Sequence, residues 1–240
     1  MKVDVLILTK DPNKIRPKLL EVLKKASWVN NIIIETSRPL SKARVNGARR
    51  CSTEWIAMFD DDVEIPENWF DIVSKYIKPG VVAISTPSID VCNIHITAYR
   101  IVSEKIRPLH LRDVPFINNT LIRKDVLVNY NPPPLFYGED ILLYNYVKKK
   151  GKWIHPPYCG VKHFMVIKDP IEVAYAMWHY GIYSLYGFIK YCLAHFIIPI
   201  LAVGYSHTFK TIIFFWRINV RFIIGLIKGM ITKNIQKNKK

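Results

Sequence analysis

The stretch EWIAMFDDDVEIPENWF, Glu54 to Phe70, decides how the chain is read. Trp55 to Phe59 is a short apolar run of the kind that forms a strand buried on both faces. It runs straight into Asp60, Asp61 and Asp62. Adjacent carboxylates repel one another and favour water or a cation over a sheet edge. A helix follows, opened by Pro66-Glu67-Asn68-Trp69-Phe70 with the proline near its first turn. One acid is enough to cap a helix, so three after a core strand point to a divalent cation. Mg2+ and Mn2+ are hard ions that take oxygen ligands and share them with substrate phosphates. One of Asp60 and Asp62 would face a ribose and the other the metal. The plain alternative is a solvated loop of capping acids.

Working outward, Val3 to Thr9 reads as a buried strand and Pro17 to Ser27 as a helix with Leu19, Leu20, Val22, Leu23 and Ala26 on one spacing. Asn31 to Glu35 reads as a second buried strand, Ser41 to Cys51 as a helix rich in Arg and Lys, and Val81 to Ser85 as a fourth strand. Strand alternating with helix predicts an α/β fold with a mostly parallel sheet and helices on both faces. Ligands in such sheets collect at the carboxyl ends of the strands. Thr9, Glu35 and Asp60 end three of them. Phe116 to Ile122 looks like a strand with a polar interruption, and Asn131-Pro132-Pro133-Pro134 is a loop. Gly138-Glu139-Asp140 starts a further helix that closes at Lys148-Lys149-Lys150-Gly151, with acids first and bases last, as the helix dipole favours.

The 240 residues suit one domain with an appendage, and half of them are hydrophobic. The formal charge is +16, yet no Asp or Glu follows Glu172 while nine Lys or Arg do, leaving +7 for the first 172 residues. Four scattered cysteines (Cys51, Cys92, Cys159, Cys192) contain no CxxC pair and read as reduced thiols of a cytosolic protein. The N-terminus lacks the apolar core of a signal peptide.

The acid-free tail is unlike the rest. Pro170 to Ile189 is aromatic and mildly polar, as in a helix at a membrane interface. Tyr191 to Phe209 is uncharged for 19 residues, enough for about 28 Å of helix. His195, Pro199, Ser206 and His207 weaken it as a single span. Thr211 to Ile227 is apolar but carries Arg217 and Arg221 four apart on one helical face, and five lysines follow. A cationic, aromatic tail of this kind expects an anionic membrane surface, held by interfacial helices or a re-entrant hairpin. A buried helical subdomain is the alternative. The division expected is a catalytic domain over 1–168 and hydrophobic, basic helices over 169–240.

The run SKARVNGARRCSTEWIAMFDDDVEIPENW resembles the core of family 2 glycosyltransferases, whose fold is the Rossmann-like GT-A fold. The matching features are Ala43, Arg44, Asn46 and Gly47, then Asp60-Asp61-Asp62, then Pro66. The opening strand into Thr9 is similar too, as is GEDILLYNYVKKKGKWI, and the set spans roughly residues 1 to 168. The resemblance implies that Asp60 to Asp62 hold a metal, Mn2+ or Mg2+, and the ribose-diphosphate of a nucleotide sugar, with Thr9 and Glu35 beside the nucleoside. Many members carry two Asp after the second strand where this chain has Glu35-Thr36. Arg44 is either a diphosphate contact or a solvated helix Arg. Asp140 is implied as the base that deprotonates the acceptor, with Glu139 beside it; without the resemblance both read as acids at a helix start. His163 is either a further metal ligand or a structural histidine. Asn118 and Asn119 fall where the family has a polar, acceptor-facing loop.

The function this implies is an inverting, metal-dependent glycosyltransferase. It would move a sugar from a nucleotide diphosphate to an acceptor hydroxyl, on a glycan or a lipid-linked saccharide. The implied place is the cytoplasmic face of the cell membrane, whether peripheral, re-entrant or integral. A nucleotidyltransferase is a rival, but it would carry a Gly-rich loop where this chain has Thr9-Lys10-Asp11-Pro12-Asn13. A basic membrane or nucleic-acid-binding protein without catalysis is another. Nucleic-acid binders set their charge on a polar face, whereas here it accompanies apolar helices, so no nucleic acid is expected.

Overall fold

The computed structural model describes residues 1–91, 95, 102, 117–135, 138–164, 169–179, 193, 197–204 and 207–237. These divide into two compact units, one from 1–89 with 114–164 and one from 90–113 with 165–240.

The first unit is α/β. Its strands are β1 (Val3–Leu8), β2 (Val29–Glu35), β3 (Trp55–Asp60), β4 (Val63–Glu64), β5 (Val81–Ser85), β6 (Ser88–Asp90), β7 (Asn119–Arg123), β8 (Lys152–Ile154) and β9 (Val161–His163). Its helices are α1 (Pro17–Lys25), α2 (Leu40–Arg50), α3 (Trp69–Ser74), α4 (Lys124–Val128) and α5 (Glu139–Lys148). The main sheet has the order β2-β1-β3-β7-β5-β8, and a small second sheet has the order β4-β9-β6.

Alternation along β1 fills two cores. Val3, Val5 and Ile7 pack with Leu19, Leu23, Phe59 and Trp69 on one face. Leu6 and Leu8 pack with Ala43, Ala48, Met58 and Val147 on the other. Helices therefore cover both faces, as the alternating pattern predicts. Trp69 is wholly buried, edge-on to Phe59 at 4.9 Å and to Phe70 at 5.0 Å.

The sheet is mixed rather than mostly parallel. Strand β2 pairs parallel with β1, β1 with β3 and β5 with β8, but β7 runs antiparallel between β3 and β5. Periodicity is the same for either direction, so the run around Ile122 carried no sign of it. Strand β2 also departs from the expected burial. It is an edge strand with Asn30 and Asn31 exposed, and only Glu35 fully inside.

One buried charge ties the sheet together. Asp4, wholly buried on β1, accepts hydrogen bonds from the backbone N–H groups of Ser52 and Thr53 (3.0 Å for Thr53), the Ser52 hydroxyl (3.0 Å) and the Asn30 amide (2.9 Å). Burial alone favours its neutral form, but these donors outweigh it and hold the carboxyl down to about 2. An unfolded Asp titrates near 3.9. The stabilisation is therefore present above about pH 4 and is lost as pH falls through about 2. Urea titrations should show the wild type losing about 2 kcal/mol across that window. Asp4→Asn should already lack most of it at pH 7 and show a flatter acid limb. An acid limb as steep as that of the wild type in the variant would remove this role.

The second unit is helical. Helices α6 (Pro170–His179) and α7 (Lys210–Lys237) pack through Ala174, Phe222 and Leu226, and residues 197–204 are also helical. Gly225 lets them touch: a Cβ there would stand 2.2 Å from the Ile171 carbonyl oxygen. Asp169 caps α6 through the Ile171 N–H (2.9 Å) and pairs with Arg221 of α7 at 3.0 Å. Among the described residues no helix is long and apolar enough to cross a membrane. The expected hydrophobic helices therefore meet a narrower outcome, because Arg217, Arg221 and Lys228 interrupt α7. Within Tyr191 to Phe209, positions 191–192, 194–196 and 205–206 lie outside the described residues. Of the cysteines, Cys51 and Cys159 are free, and burial pushes the Cys51 thiol up to about 12, so it is unreactive. Cys92 and Cys192 lie outside the described residues.

Candidate active site

Parallel pairing sets three strand ends side by side: Leu8 is in register with Glu35 on one side and with Asp60 on the other. Thr9 follows Leu8 directly, so Thr9, Glu35 and Asp60 share the carboxyl edge of the sheet. Asp61 and Asp62 form the turn between β3 and β4.

Thr9 is 3% exposed, and its hydroxyl hydrogen-bonds the Asp61 carboxylate while its N–H donates to the Glu35 carbonyl at 3.2 Å. The Asp61 carboxyl titrates above its ordinary value. Burial raises it most, the Thr9 hydroxyl opposes, and the Asp62 and Asp60 charges add to the rise. Glu35 is held by the Ser37 N–H (2.8 Å) and Arg50 (3.1 Å). Its carboxyl falls below the ordinary value despite its burial, because those partners outweigh it.

Arg44 on α2 is 1% exposed. Its Nη2 lies 3.1 Å from Glu139 Oε1 and 3.7 Å from Asp60 Oδ1, and its Nη1 donates to the Met58 sulfur at 3.3 Å. Burial disfavours the guanidinium, yet Asp60 and Glu139 hold it charged and raise its pKa. This side chain joins the carboxylate at the end of β3 to the start of α5. Its burial sets aside the solvated helix Arg.

Glu139 and Asp140 open α5 behind Gly138, whose φ of 73° is left-handed and suits glycine at that turn. Glu139 is 6% exposed and turned to Arg44. Asp140 is half-buried, and its Oδ1 accepts the Ile141 N–H at 2.9 Å.

His163 reaches the site through the small sheet, where Val63 pairs with His163 and the Phe164 N–H donates to the Asp62 carbonyl at 2.7 Å. His163 Nε2 stands 3.3 Å from Asp62 Oδ1. Asp62 and His163 thus converge, whereas Asp60 turns to Arg44. Among the described residues no three His, Cys, Asp or Glu side chains come together as a ready metal cage. The Oδ1 atoms of Asp60 and Asp62 are nevertheless buried, facing Arg44 and His163 respectively without a hydrogen bond among the described residues. The Asp62 carboxylate beside the His163 imidazole is a donor pair that fits a hard cation completed by phosphate and water.

Asn118 and Asn119 take a different part from the acceptor loop implied above. Asn119 is wholly buried; its Oδ1 accepts the Thr86 hydroxyl (2.6 Å) and its Nδ2 donates to the Thr86 carbonyl (3.0 Å) and to Asn118 (2.8 Å). It latches β7 to the end of β5. Sequence reading missed Tyr130, whose buried hydroxyl has no hydrogen-bond partner among the described residues and is pushed up to about 12, by burial first and then by the Glu139 charge. Nothing in a tyrosine before a run of prolines marks that position.

Residues 7–136 match Glycosyl transferase family 2, more than half of the chain, and the chain belongs to that family. It is a glycosyltransferase, which sets the nucleotidyltransferase and non-catalytic readings aside. The α/β fold is GT-A-like. A mannosyltransferase from Pyrobaculum calidifontis (PcManGT), solved with GDP-Man and Mn2+, superposes with a TM-score of 0.60 at 12% identity, over 95% of this chain and 87% of its own. Glucosyl-3-phosphoglycerate synthase from Mycobacterium tuberculosis, solved with Mn2+, UDP and glucosyl-3-phosphoglycerate, superposes at 0.52 and 12% identity, over 73% and 78% of the two chains. No match is found among curated proteins.

Proposed function

We propose that the chain transfers a sugar, with inversion, from a nucleotide diphosphate to an acceptor hydroxyl. The observation that carries this is the common edge of Thr9, Glu35 and Asp60, with Asp62 and His163 converging in the turn and small sheet beside it. Thr9 and Glu35 border the nucleoside, and Asp60 and Asp61 face the ribose and diphosphate. Asp62 and His163 would hold Mn2+ or Mg2+, with Asp60 near; the ions seen in PcManGT and in the mycobacterial synthase support this. A bound divalent ion would neutralise the charge that develops on the leaving diphosphate.

Asp140 acts from the start of α5. Its Oδ1 is occupied by the Ile141 N–H, which leaves Oδ2 to take the acceptor proton. The acceptor oxygen then bonds the anomeric carbon as the carbon–diphosphate bond breaks, its electron pair leaving on the phosphate oxygen. Arg44 positions this machinery by holding Glu139, the neighbour of Asp140, and Asp60 on one guanidinium. A buried cation between two carboxylates fixes both, and removing it would leave two uncompensated charges.

The acceptor is a lipid-linked saccharide met at the cytoplasmic face of the cell membrane. The acid-free, cationic sequence after Glu172 and the apolar residues exposed along α7 support this. The mycobacterial synthase structures contain small phosphorylated compounds, glucosyl-3-phosphoglycerate and glycerol 3-phosphate, so a soluble acceptor is the alternative outcome.

A thermal-shift panel of nucleoside diphosphates with and without Mn2+ tests the reading. Ligand at 100 times its Kd adds about 2.7 kcal/mol, so a diphosphate should raise Tm only when Mn2+ is present. No shift with any diphosphate would overturn the donor assignment.

A further inference from the structure

The helical unit contains a cavity that the transfer chemistry leaves unused. It is an open hollow of about 730 Å³, lined among others by His95, Asp169 and the α7 residues Lys210, Phe214, Arg217 and Arg221. That volume is of small-ligand size. The α7 positions recur at intervals of three and four, so one helix face presents cation, ring, cation, cation to the cavity.

The charges do not cancel. Asp169 is the one carboxylate in the lining, and both its oxygens are taken by Arg221, at 3.1 and 3.0 Å. Lys210 and Arg217 have no acidic partner among the described residues. Three cations against one carboxylate leave two positive charges, and the sequence supplies no Asp or Glu after Glu172. Lys210 moreover begins α7, the positive end of the helix dipole, where an anion is favoured and a cation is not.

Beside this cavity lies a second hollow of about 470 Å³, lined by Ile213, Trp216, Arg217, Val220 and Arg221. Phe209, Ile213, Trp216, Val220, Ile224, Ile227 and Ile231 continue it as a stripe at helical spacing, each 41–75% exposed. A cationic cavity opening beside a wet apolar stripe matches an amphiphile with an anionic head, not a wholly polar or wholly apolar ligand.

We propose that this cavity receives the phosphate headgroup of a membrane lipid, with Lys210 and Arg217 on the phosphate and the acyl chains along the Ile213–Trp216–Val220 stripe. The proposal rests on the reading that the helical unit meets a membrane, and it deepens that reading by assigning a lipid class and a seat. A phosphate monoester carries the most charge and is the preferred head.

The test uses the full chain and two probes. Calorimetry with dihexanoyl phosphatidic acid, a soluble lipid below its micellar concentration, should show saturable binding. Dihexanoyl phosphatidylcholine and inorganic phosphate should bind far more weakly. The Lys210→Gln/Arg217→Gln variant should lose about tenfold or more. Lys228→Gln, outside the cavity on the same helix, should lose little. Retained diphosphate-dependent thermal shifts would show that the variants are folded. Inorganic phosphate binding as tightly as the lipid would overturn the proposal in favour of a free-phosphate site. Equal losses in Lys228→Gln and the cavity variant would overturn it in favour of diffuse charge. Sedimentation with phosphatidylglycerol vesicles separates the parent reading: absence from the pellet despite binding of the soluble lipid would sink membrane docking while supporting the headgroup seat.

Discussion

Asp140→Asn should lower turnover by about 10²-fold or more while leaving Mn2+-dependent binding of the diphosphate near its wild-type value. The size of the loss is that usual for a missing general base. Asn keeps the Ile141 N–H contact through its oxygen, so the helix start survives, but its amide cannot take the proton that Asp140 Oδ2 is proposed to accept. An acid serving only the helix dipole would contribute about 0.3–1 kcal/mol to stability and nothing to turnover. Single-turnover kinetics beside a denaturation curve separate the two. Near-normal turnover with a small loss of stability would return Asp140 to a capping role.

Asp62→Asn should remove most of the metal-dependent donor affinity, beyond the about 10–100-fold typical of residues that merely support a ligand. The motive is the pair Asp62 and His163 at 3.3 Å with Asp62 Oδ1 buried and lacking a donor. Asp60→Asn should show a second signature. Asp60 also faces Arg44, so its neutralisation should disturb Glu139 and depress turnover even at saturating donor. Titration of Mn2+ at fixed diphosphate measures the first effect, and turnover at saturating donor the second. Unchanged Mn2+ dependence in Asp62→Asn would leave the ion without its proposed ligand.

The parts of this arrangement legible in the sequence are those in which chemistry sits next to a periodic element. The run from Trp55 to Asp60, the acids at 139 and 140 and the basic close at 148–150 each couple a local pattern to a charge, and each falls within a residue or so of its observed element. What escaped depends on partners distant in sequence. Strand β7 looked like any apolar run; its antiparallel seat between β3 and β5 is set by the return of the chain from residues beyond β6. Arg44 looked like one base among several on α2, because Glu139, its partner, lies 95 positions away. Asp4 was hidden inside an apolar strand, and its donors lie at Asn30, Ser52 and Thr53. Burial creates such charges only when long-range donors neutralise their cost, and no local window contains both.

The strand order also sets a timetable for synthesis. Strands β2 and β3 flank β1, and the three can pair as soon as they leave the ribosome. Strand β5 cannot, since its neighbours, β7 and β8, are both translated later. At about 5–20 residues per second, the apolar run Val81–Ser85 waits with both edges unpaired, and the outer edge of β3 waits with it. Unpaired apolar edges are templates for aggregation, so this interval is where a nascent chain most needs a holdase. The half-sheet bearing Thr9, Glu35 and Asp60 is the half that forms first. The edge proposed to meet the donor is laid down before Asp140 has been translated.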